Sequence, residues 1–570
     1  MKMKGAQIVI ECLLEQGVDT VFGYPGGAIL NIYDELYKNS HRIKHILTAH
    51  EQGAAHAADG YARSTGKVGV VMATSGPGAT NLVTGIATAH MDSVPIVAIT
   101  CNVANSLLGK DSFQEVDIRG ITMPITKHSY IVRHIEELAN CIREAFIVAQ
   151  SGRPGPVLID IPKDVTAAQT DYLPVDPSII DDVPTVHMTA NINRIRTAPE
   201  VSDEQIKEAA ELINAAKRPV IYAGGGIIIS DSSPELLALA ERASIPVAVS
   251  LMAKSAFPSA HKLCTGMVGM HGSKASNMAV SKSDFVLTLG ARFSDRVTGD
   301  AKNFAKNGKV FQIDIDPAEI NKNVQTAGSI IGNMKSTLDR LLPLVEQKPE
   351  SDWNRQIAAW KKEVPSTTAA RGSLHPAFLC RYVHSKVGEN AIITTEVGQH
   401  QMWVAQYYEF SIPRTFLTSG GLGTMGFGTG AAIGAQVGNP GRRVVHFAGD
   451  GSFRMNCNEL ATISHFNLPI IIIVINNGTL GMVRQWQNLF YGKRYSQTTL
   501  DFGPDFVKLA EAYGIQGYRA VNETEFRKAF DAALDAGKPA VIDAHIGIDE
   551  MVLPMVPAGK PIDQLFLEIK

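Results

Sequence analysis

Cysteine is scarce, and Cys12, Cys101, Cys141, Cys264, Cys380 and Cys457 are scattered without a CxxC pair. This excludes a disulfide framework and leaves six small, buried hydrophobes in a reducing compartment. No apolar run reaches the length of a membrane span. The amino terminus enters a helical pattern directly, with no signal peptide, so a cytoplasmic protein without a membrane partner is expected. Long basic runs are absent and the formal charge is −3, which argues against a nucleic-acid partner. What is present is an apolar content of 45% and 50 glycines, the make-up of a large α/β protein. A chain of 570 residues exceeds one core, and three or four domains are expected.

The chain is organised around Gly449-Asp450-Gly451 and the Asn476-Asn477 pair. The residues before Gly449 read as a buried strand, Ser452 to Phe466 as a helix, and Ile470 to Ile475 as a β-branched strand. Strand, helix, strand implies a parallel crossover. Asp450 and Asn477 then leave their strands at the same edge, where ligands of open α/β sheets bind. A carboxylate and an amide offer the hard oxygens that suit Mg²⁺, and the glycines let backbone approach a diphosphate. The alternative is an ordinary unit in which the aspartate caps a helix and Asn-Asn-Gly makes a turn. Two such residues at two linked strand ends favour the ligand reading. A second stretch echoes the first. Val70 to Gly78, a helix, then Pro95 to Asn102 parallels Val444 to Gly451, a helix, then Pro469 to Asn476. Two similar domains, from duplication, account for this better than the general likeness of βαβ units.

The GDG opening and NN close resemble the diphosphate-binding motif of thiamine-diphosphate enzymes. FGYPGGAIL, HEQGAAHAADGYAR, SGPGATN, DSFQE, and GRPGPV with IPKD narrow the likeness to acetohydroxyacid (acetolactate) synthase, catalytic subunit. The resemblance implies Asp450, Asn477 and the Thr479 carbonyl as magnesium ligands. Glu51, otherwise a dipole-stabilising residue in a first helical turn, becomes the carboxyl that hydrogen-bonds the cofactor pyrimidine. Tyr24, Pro25, Pro77, Asn81, Val397, Gly398, Gln399, His400, Gly423, Gly449, Gly451, Ser452, Gly481 and Met482 complete the thiamine site by resemblance. Met425, by itself a core methionine, is implied to bend the cofactor so that its two rings meet.

In the middle third, a strand, Gly224-Gly225-Gly226, a helix and a later acidic strand end form a weak dinucleotide pattern. Gly421-x-Gly423-x-x-Gly426 is not read as a dinucleotide fingerprint, because no buried strand closely precedes it. The Met267–Gly272 and Gly290–Gly299 stretches resemble the family's FAD-binding segments. They imply a flavin held by Arg153, Gly224, Gly225, Gly226, Ser250, Leu251, Met252, Met270, His271, Gly290, Ala291, Arg292, Ser294, Arg296, Val297, Asp314, Ile315, Gly332 and Asn333. Ser294 stands where the family usually has aspartate. The flavin is not needed for net redox, because the expected reaction moves no electrons overall.

Gly27, Asn102, Phe113, Lys163, Arg296, Met482 and Trp486 are implied at the reacting centre. Arg296 is expected to face a ketoacid carboxylate, or else to pair with Asp295. Asn102 replaces a family glutamine that touches the bound intermediate and is one methylene shorter. Met482 and Trp486, four apart on one helical face, read alone as core packing. In the family this tryptophan shapes the second-substrate pocket and favours 2-ketobutyrate. Thr429-Gly430 replaces a usual Leu-Pro, with no functional reading.

The fold expected is α/β, with three doubly wound parallel-sheet domains. They cover 1–166 (pyrimidine-binding), 190–343 (FAD-binding) and 373–546 (diphosphate- and magnesium-binding), followed by a lid-like tail over 547–570. Residues 166 to about 200 read as a surface linker, and 343 to 372 as a linker with a helix. The activity expected is that of acetolactate synthase. Pyruvate is decarboxylated on thiamine diphosphate and the two-carbon unit is joined to a second 2-ketoacid, giving 2-acetolactate or 2-aceto-2-hydroxybutyrate. This opens valine, leucine and isoleucine biosynthesis. A homodimer or homotetramer with its site between subunits, and a small regulatory subunit, are implied by family alone. A pyruvate oxidase, a glyoxylate carboligase and a non-enzymatic flavin-binding paralogue are the alternatives.

Overall fold

The computed structural model describes residues 1–175, 200–365 and 373–568. Its described part holds three six-stranded sheets, each wholly parallel. The strands are runs such as Ile471–Asn476 and Val157–Pro162, nearly all buried, as expected where helices cover both faces of a sheet.

The first sheet takes its strands from Thr20–Tyr24, Lys44–Leu47, Gly69–Ala73, Ile96–Asn102, His128–Ile131 and Val157–Pro162. The last takes Ile392–Thr395, Phe416–Leu417, Val444–Gly449, Ile471–Asn476, Gln516–Ala520 and Ala540–His545. Numbered by chain order within each sheet, both run 2-1-3-4-6-5. The echo in the sequence is therefore an echo in topology, and it extends to side chains. Thr100 lies opposite Asp160 and Asn102 opposite Pro162; in the last sheet Val474 lies opposite Asp543 and Asn476 opposite His545. In both sheets the asparagine amide reaches the aspartate two positions back on the neighbouring strand, at 2.7 Å and 2.9 Å.

The middle sheet runs 3-2-1-4-5-6 with strands Pro219–Ala223, Val247–Val249, Cys264–Met267, Phe285–Leu289, Lys309–Asp314 and Gly328–Ile331. This is the strand order of doubly wound dinucleotide-binding sheets, with its crevice where the winding reverses.

The first and last domains share one apolar core, continuous from Phe22, Ala54 and Val71 to Ala432, Val444 and Ile472. Two helices of small residues, Glu51–Thr65 and Phe427–Gly438, form the seam. Added methyls at Gly60 and Gly434 would overlap the Ala431 and Ala57 carbonyl oxygens. The glycines that weaken an isolated helix here allow backbone to touch backbone.

Three boundaries shift. Past residue 166 the chain does not leave the first domain. Gln169–Asp171 pairs antiparallel with Lys2–Lys4, and Tyr172 is buried in that core. The remainder of the expected linker, 176–199, lies outside the described residues. Beyond residue 343 the helix Asp352–Lys361 belongs to the central core, where the buried Trp353 indole donates to the Pro219 carbonyl at 3.0 Å. Residues 366–372 again lie outside the described part. The helix expected over Ser452–Phe466 starts at Asp450 and is interrupted at Cys457–Glu459. There the buried Glu459 carboxylate turns to accept the Ala49 and His50 amides of the first domain, at 3.1 Å each.

Candidate active site

The Val444–Gly449 and Ile471–Asn476 strands are neighbours, with Gly449 opposite Ile475. Asp450 and Asn477 therefore emerge side by side at the carboxyl edge, as the sequence implied. Asp450 is buried, and its Oδ2 has no partner among the described residues. Burial pushes its carboxyl up to about 6, only partly offset by Arg454. The Asn477 amide donates to Gln399 Oε1 at 3.1 Å, and its oxygen accepts the Thr479 amide at 3.3 Å. His400 lies beneath the same edge; a methyl on Gly449 would come within 2.7 Å of its Nδ1. The His400 Nε2 is also buried without a partner, and burial lowers that imidazole to about 3, so it is neutral. A buried carboxylate oxygen and a buried imidazole nitrogen left open, beside a glycine backbone, fit a divalent cation with a diphosphate. Among the described residues no three His, Cys, Asp or Glu side chains form a metal cluster.

Glu51 opens its helix, buried, and accepts the Asn81 amide at 2.9 Å. A methyl on Gly78 would come within 3.2 Å of its Oε1, so the Ser75–Asn81 turn packs closely on this carboxyl. Tyr24 and Gly27 are exposed nearby in sequence, and Pro25 is half-buried. Glu459 of the last domain holds the turn that precedes Glu51. No feature of the sequence singled out Glu459, because its partners are backbone amides about 410 residues away.

The glycine-rich segment before the Phe427–Gly438 helix carries Gly423, at φ +69°, and the half-buried Met425. It is bounded by Glu396, which stands just before Val397-Gly398-Gln399-His400. That carboxylate is fully buried and accepts the amides of Gly426, Gly428 and Thr429 at 2.6, 2.9 and 3.1 Å. Burial raises it to about 7 despite those bonds. The Thr429 side chain has polar neighbours of its own: its hydroxyl lies 3.4 Å from Glu396 Oε1 and 3.5 Å from His446 Nε2.

In the central domain, Gly224 and Gly226 face Gly290 across the reversal of winding. Added methyls there would meet Gly290 backbone, so two loops approach as closely as backbone allows. Arg292 is largely buried and pushed below its ordinary range by burial and then by Arg153, with Asp92, Glu319 and Asp314 opposing. Arg153 crosses from the first domain to Asp316 at 3.3 Å and Glu319 at 3.1 Å. Burial raises Asp314 to about 6 and lowers His271 to about 4, and His271 Nδ1 lacks a partner. A cradle without Cβ atoms, two arginines and open polar atoms fit an anionic dinucleotide. Gly225, Ser250, Leu251 and Met252 line the same edge; a methyl on Gly225 would lie 3.2 Å from Met252 Cβ. Asn333 and Ser294 stand at helix starts. Their side chains cap helices, accepting the Ser336 amide at 3.1 Å and the Arg296 amide at 3.3 Å.

Arg296 is exposed, 3.9 Å from Asp295, and its guanidinium approaches Met270 sulfur at 3.8 Å. Phe113 and Lys163 are exposed too. The Phe113 loop is tied by Glu115, which accepts the amides of Gly109, Lys110 and Ser112. Trp486 packs at 5.3 Å on Phe490, and Met482 packs against the last domain's core. Asn102 is buried and already committed: its amide donates to Asp160 and to the Val116 carbonyl, and its oxygen accepts the Val103 amide. The tail from Gly547 passes over the Gly481–Phe490 helix. Gln485 exchanges hydrogen bonds with Val552, Gln399 donates to the Glu550 carbonyl, and Val556 donates to the Met270 carbonyl.

Three family models match in order. They are the N-terminal TPP binding domain of thiamine pyrophosphate enzymes over residues 3–121, their central domain over 206–341, and their C-terminal TPP binding domain over 396–544. The probable acetolactate synthase large subunit of Methanocaldococcus jannaschii is 47% identical, over 100% of this chain and 96% of that protein. The acetolactate synthase large subunits of Pyropia yezoensis and Corynebacterium glutamicum are each 46% identical over 98% of this chain, and over 95% and 89% of their own lengths. Identity at this level from end to end, with the three domain models matching in order along the chain, shows that the chain belongs to the acetolactate synthase large-subunit family of thiamine pyrophosphate enzymes.

Proposed function

We propose that this chain is the catalytic subunit of an acetolactate synthase. It joins the two-carbon unit of pyruvate to a second 2-ketoacid, pyruvate or 2-ketobutyrate, at the entry to branched-chain amino-acid synthesis. The observation that carries the reading is the paired emergence of Asp450, with its unpartnered oxygen, and Asn477 from adjacent strands. Thiamine diphosphate, when bound, supplies the carbanion-stabilising chemistry that ketoacid decarboxylation requires.

The chain's own residues bind, orient and exclude water. Asp450, Asn477 and the Thr479 carbonyl hold Mg²⁺. The Gly449 and Gly451 backbone and His400 receive the diphosphate. Glu51, buried and oriented by Asn81, holds the proton at the pyrimidine ring. Arg296 offers a fixed cation to a ketoacid carboxylate. Trp486 shapes the second-substrate pocket. The Gly224–Gly226 and Gly290–Arg292 loops hold FAD as a structural group. Within one chain the first and last domains meet through the Glu51–Thr65 and Phe427–Gly438 helices. The Asp450 edge of one copy is completed by Glu51 of a second, so a homodimer is the minimal active unit. The name "large subunit" among the relatives supports a small regulatory partner. No described helix is long and apolar enough to cross a membrane; a cytoplasmic location is proposed.

The test is product analysis of the full chain with pyruvate and 2-ketobutyrate, with and without thiamine diphosphate and Mg²⁺. Cofactor-dependent acetohydroxybutyrate in excess over acetolactate is expected. Acetolactate alone would remove the Trp486 role, and acetyl phosphate would indicate an oxidase. Glu51→Gln keeps the shape of the side chain but not its ionisation, and should lose about 10²-fold or more in kcat. Near-normal turnover in that variant would remove Glu51 from the mechanism.

A further inference from the structure

The Gly420–Thr429 segment is held at both ends by buried carboxylates that belong to different domains. At its start, Asp92 of the first domain accepts the Gly421 amide at 2.7 Å and the Gly420 amide at 3.2 Å. Asp92 is itself fixed by Arg63 Nη2 at 3.0 Å. Arg63 also bonds Asp59, donates to the Thr418 carbonyl at 2.9 Å, and lies 5.1 Å over the Phe427 ring. At the segment's end Glu396 accepts three amides at the start of the Phe427–Gly438 helix, from Gly426, Gly428 and Thr429. Between these anchors Gly421, Leu422 and Gly423 are exposed and Met425 is half-buried. One more first-domain bond reaches in, Thr88 Oγ1 to Thr424 Oγ1 at 2.7 Å, directly before Met425.

A run this rich in glycine has little conformational preference of its own, so its shape must be imposed from outside. Gly423 and Gly426 sit at φ +69° and +89°, which leaves the path free of local steric guidance. Several backbone amides converging on one buried carboxyl group hold their segment to the place where that group stands, two on Asp92 and three on Glu396. Glu396 also immediately precedes Val397–His400, so one side chain ties two stretches of the thiamine site together.

We propose that Asp92 and Glu396 are positioning residues, which jointly fix the Gly420–Thr429 segment so that Met425 meets the thiamine cofactor at the right height. This rests on the reading of Gly423 and Met425 as cofactor contacts. Each carboxylate acts through backbone amides.

The test uses the full chain and two readouts. Amide hydrogen exchange of the 420–429 peptide, without cofactors, reports the anchors. The rate at which the C2 proton of bound thiamine diphosphate exchanges with deuterium, per mole bound and with Mg²⁺ and FAD present, reports the cofactor geometry. Asp92→Asn and Glu396→Gln should each lose protection in that peptide and slow C2 exchange about tenfold or more. Glu396→Asp, which keeps the carboxyl group, should recover part of both. Thr88→Val, which buries no new charge, should show the same pattern more weakly and serves if a carboxylate variant fails to fold. Met425→Ala is the control for the underlying reading. If it slows C2 exchange while the carboxylate variants exchange at the wild-type rate, the anchors are only structural and the proposal is overturned. If Met425→Ala itself exchanges normally, the reading of Met425 falls and the proposal with it.

Discussion

Burial pushes the Asp160 carboxyl up to about 6, against hydrogen bonds from Asn102 and Thr100 that pull it down. A carboxyl whose pKa is higher folded than unfolded keeps its proton in the native state after the unfolded chain has lost it. Its contribution to stability is therefore greatest below about pH 4 and falls as pH rises to about 6. A shift of this size corresponds to about 3 kcal/mol. Asp160→Asn should flatten the fall in thermal midpoint between pH 4 and pH 6.5 relative to the wild type, and parallel profiles would show that Asp160 does not titrate in this range. At this scale the sequence was only half legible. Asp450 and Asn477 stood out because their spacing marks two strand ends. Asp92, Asp160, Glu396 and Glu459 did not, because their partners are distant in the chain or are backbone amides. Asn102, expected at the reacting centre, has its amide bonded to Asp160 on the neighbouring strand, a partner that nothing local in the chain announces.

At the scale of elements, the contact between the Glu51–Thr65 and Phe427–Gly438 helices is what joins the first domain to the last. A methyl on Gly434 would overlap the Ala57 carbonyl, and backbone cannot step aside as a side-chain tip can. Gly434→Ala should therefore destabilise the shared core by about 1–3 kcal/mol, although alanine is the better helix former. A methyl on Gly441 meets nothing within 4 Å, so Gly441→Ala is the matched control and should leave the thermal midpoint nearly unchanged. Equal effects of the two would mean that the seam yields. The small residues of both helices were visible in the sequence, and that something packs closely on the Glu51 helix was readable from them. That the partner is the Phe427–Gly438 helix was not, since small-residue stripes do not name what covers them.

For the whole molecule, Arg153 and the tail tie the central domain to its neighbours, at Asp316 and Glu319 on one side and at Met270 on the other. The glycine cradle of that domain gives a separable prediction. A methyl on Gly226 would stand 2.7 Å from Gly290 Cα, so the substitution forces apart the two loops of the proposed FAD site. Gly226→Ala should purify without flavin absorbance, while its thiamine diphosphate binding, followed by protein fluorescence, changes by less than about threefold. Retained flavin in that variant would move the dinucleotide site elsewhere.

The sequence by itself determined three α/β domains, the repeat of the first in the last, and the edge on which Asp450 and Asn477 stand. Those features rest on periodicity, turn chemistry and strand-end spacing, all local in the chain. Tertiary structure alone decided that the segment past residue 166 returns to pair with the amino terminus, and that the helix after residue 343 packs into the central core. It also decided which buried carboxylates hold the Gly420–Thr429 segment. These outcomes depend on which surfaces meet once the sheets have formed, and burial and backbone hydrogen bonds between distant segments leave no local pattern to read.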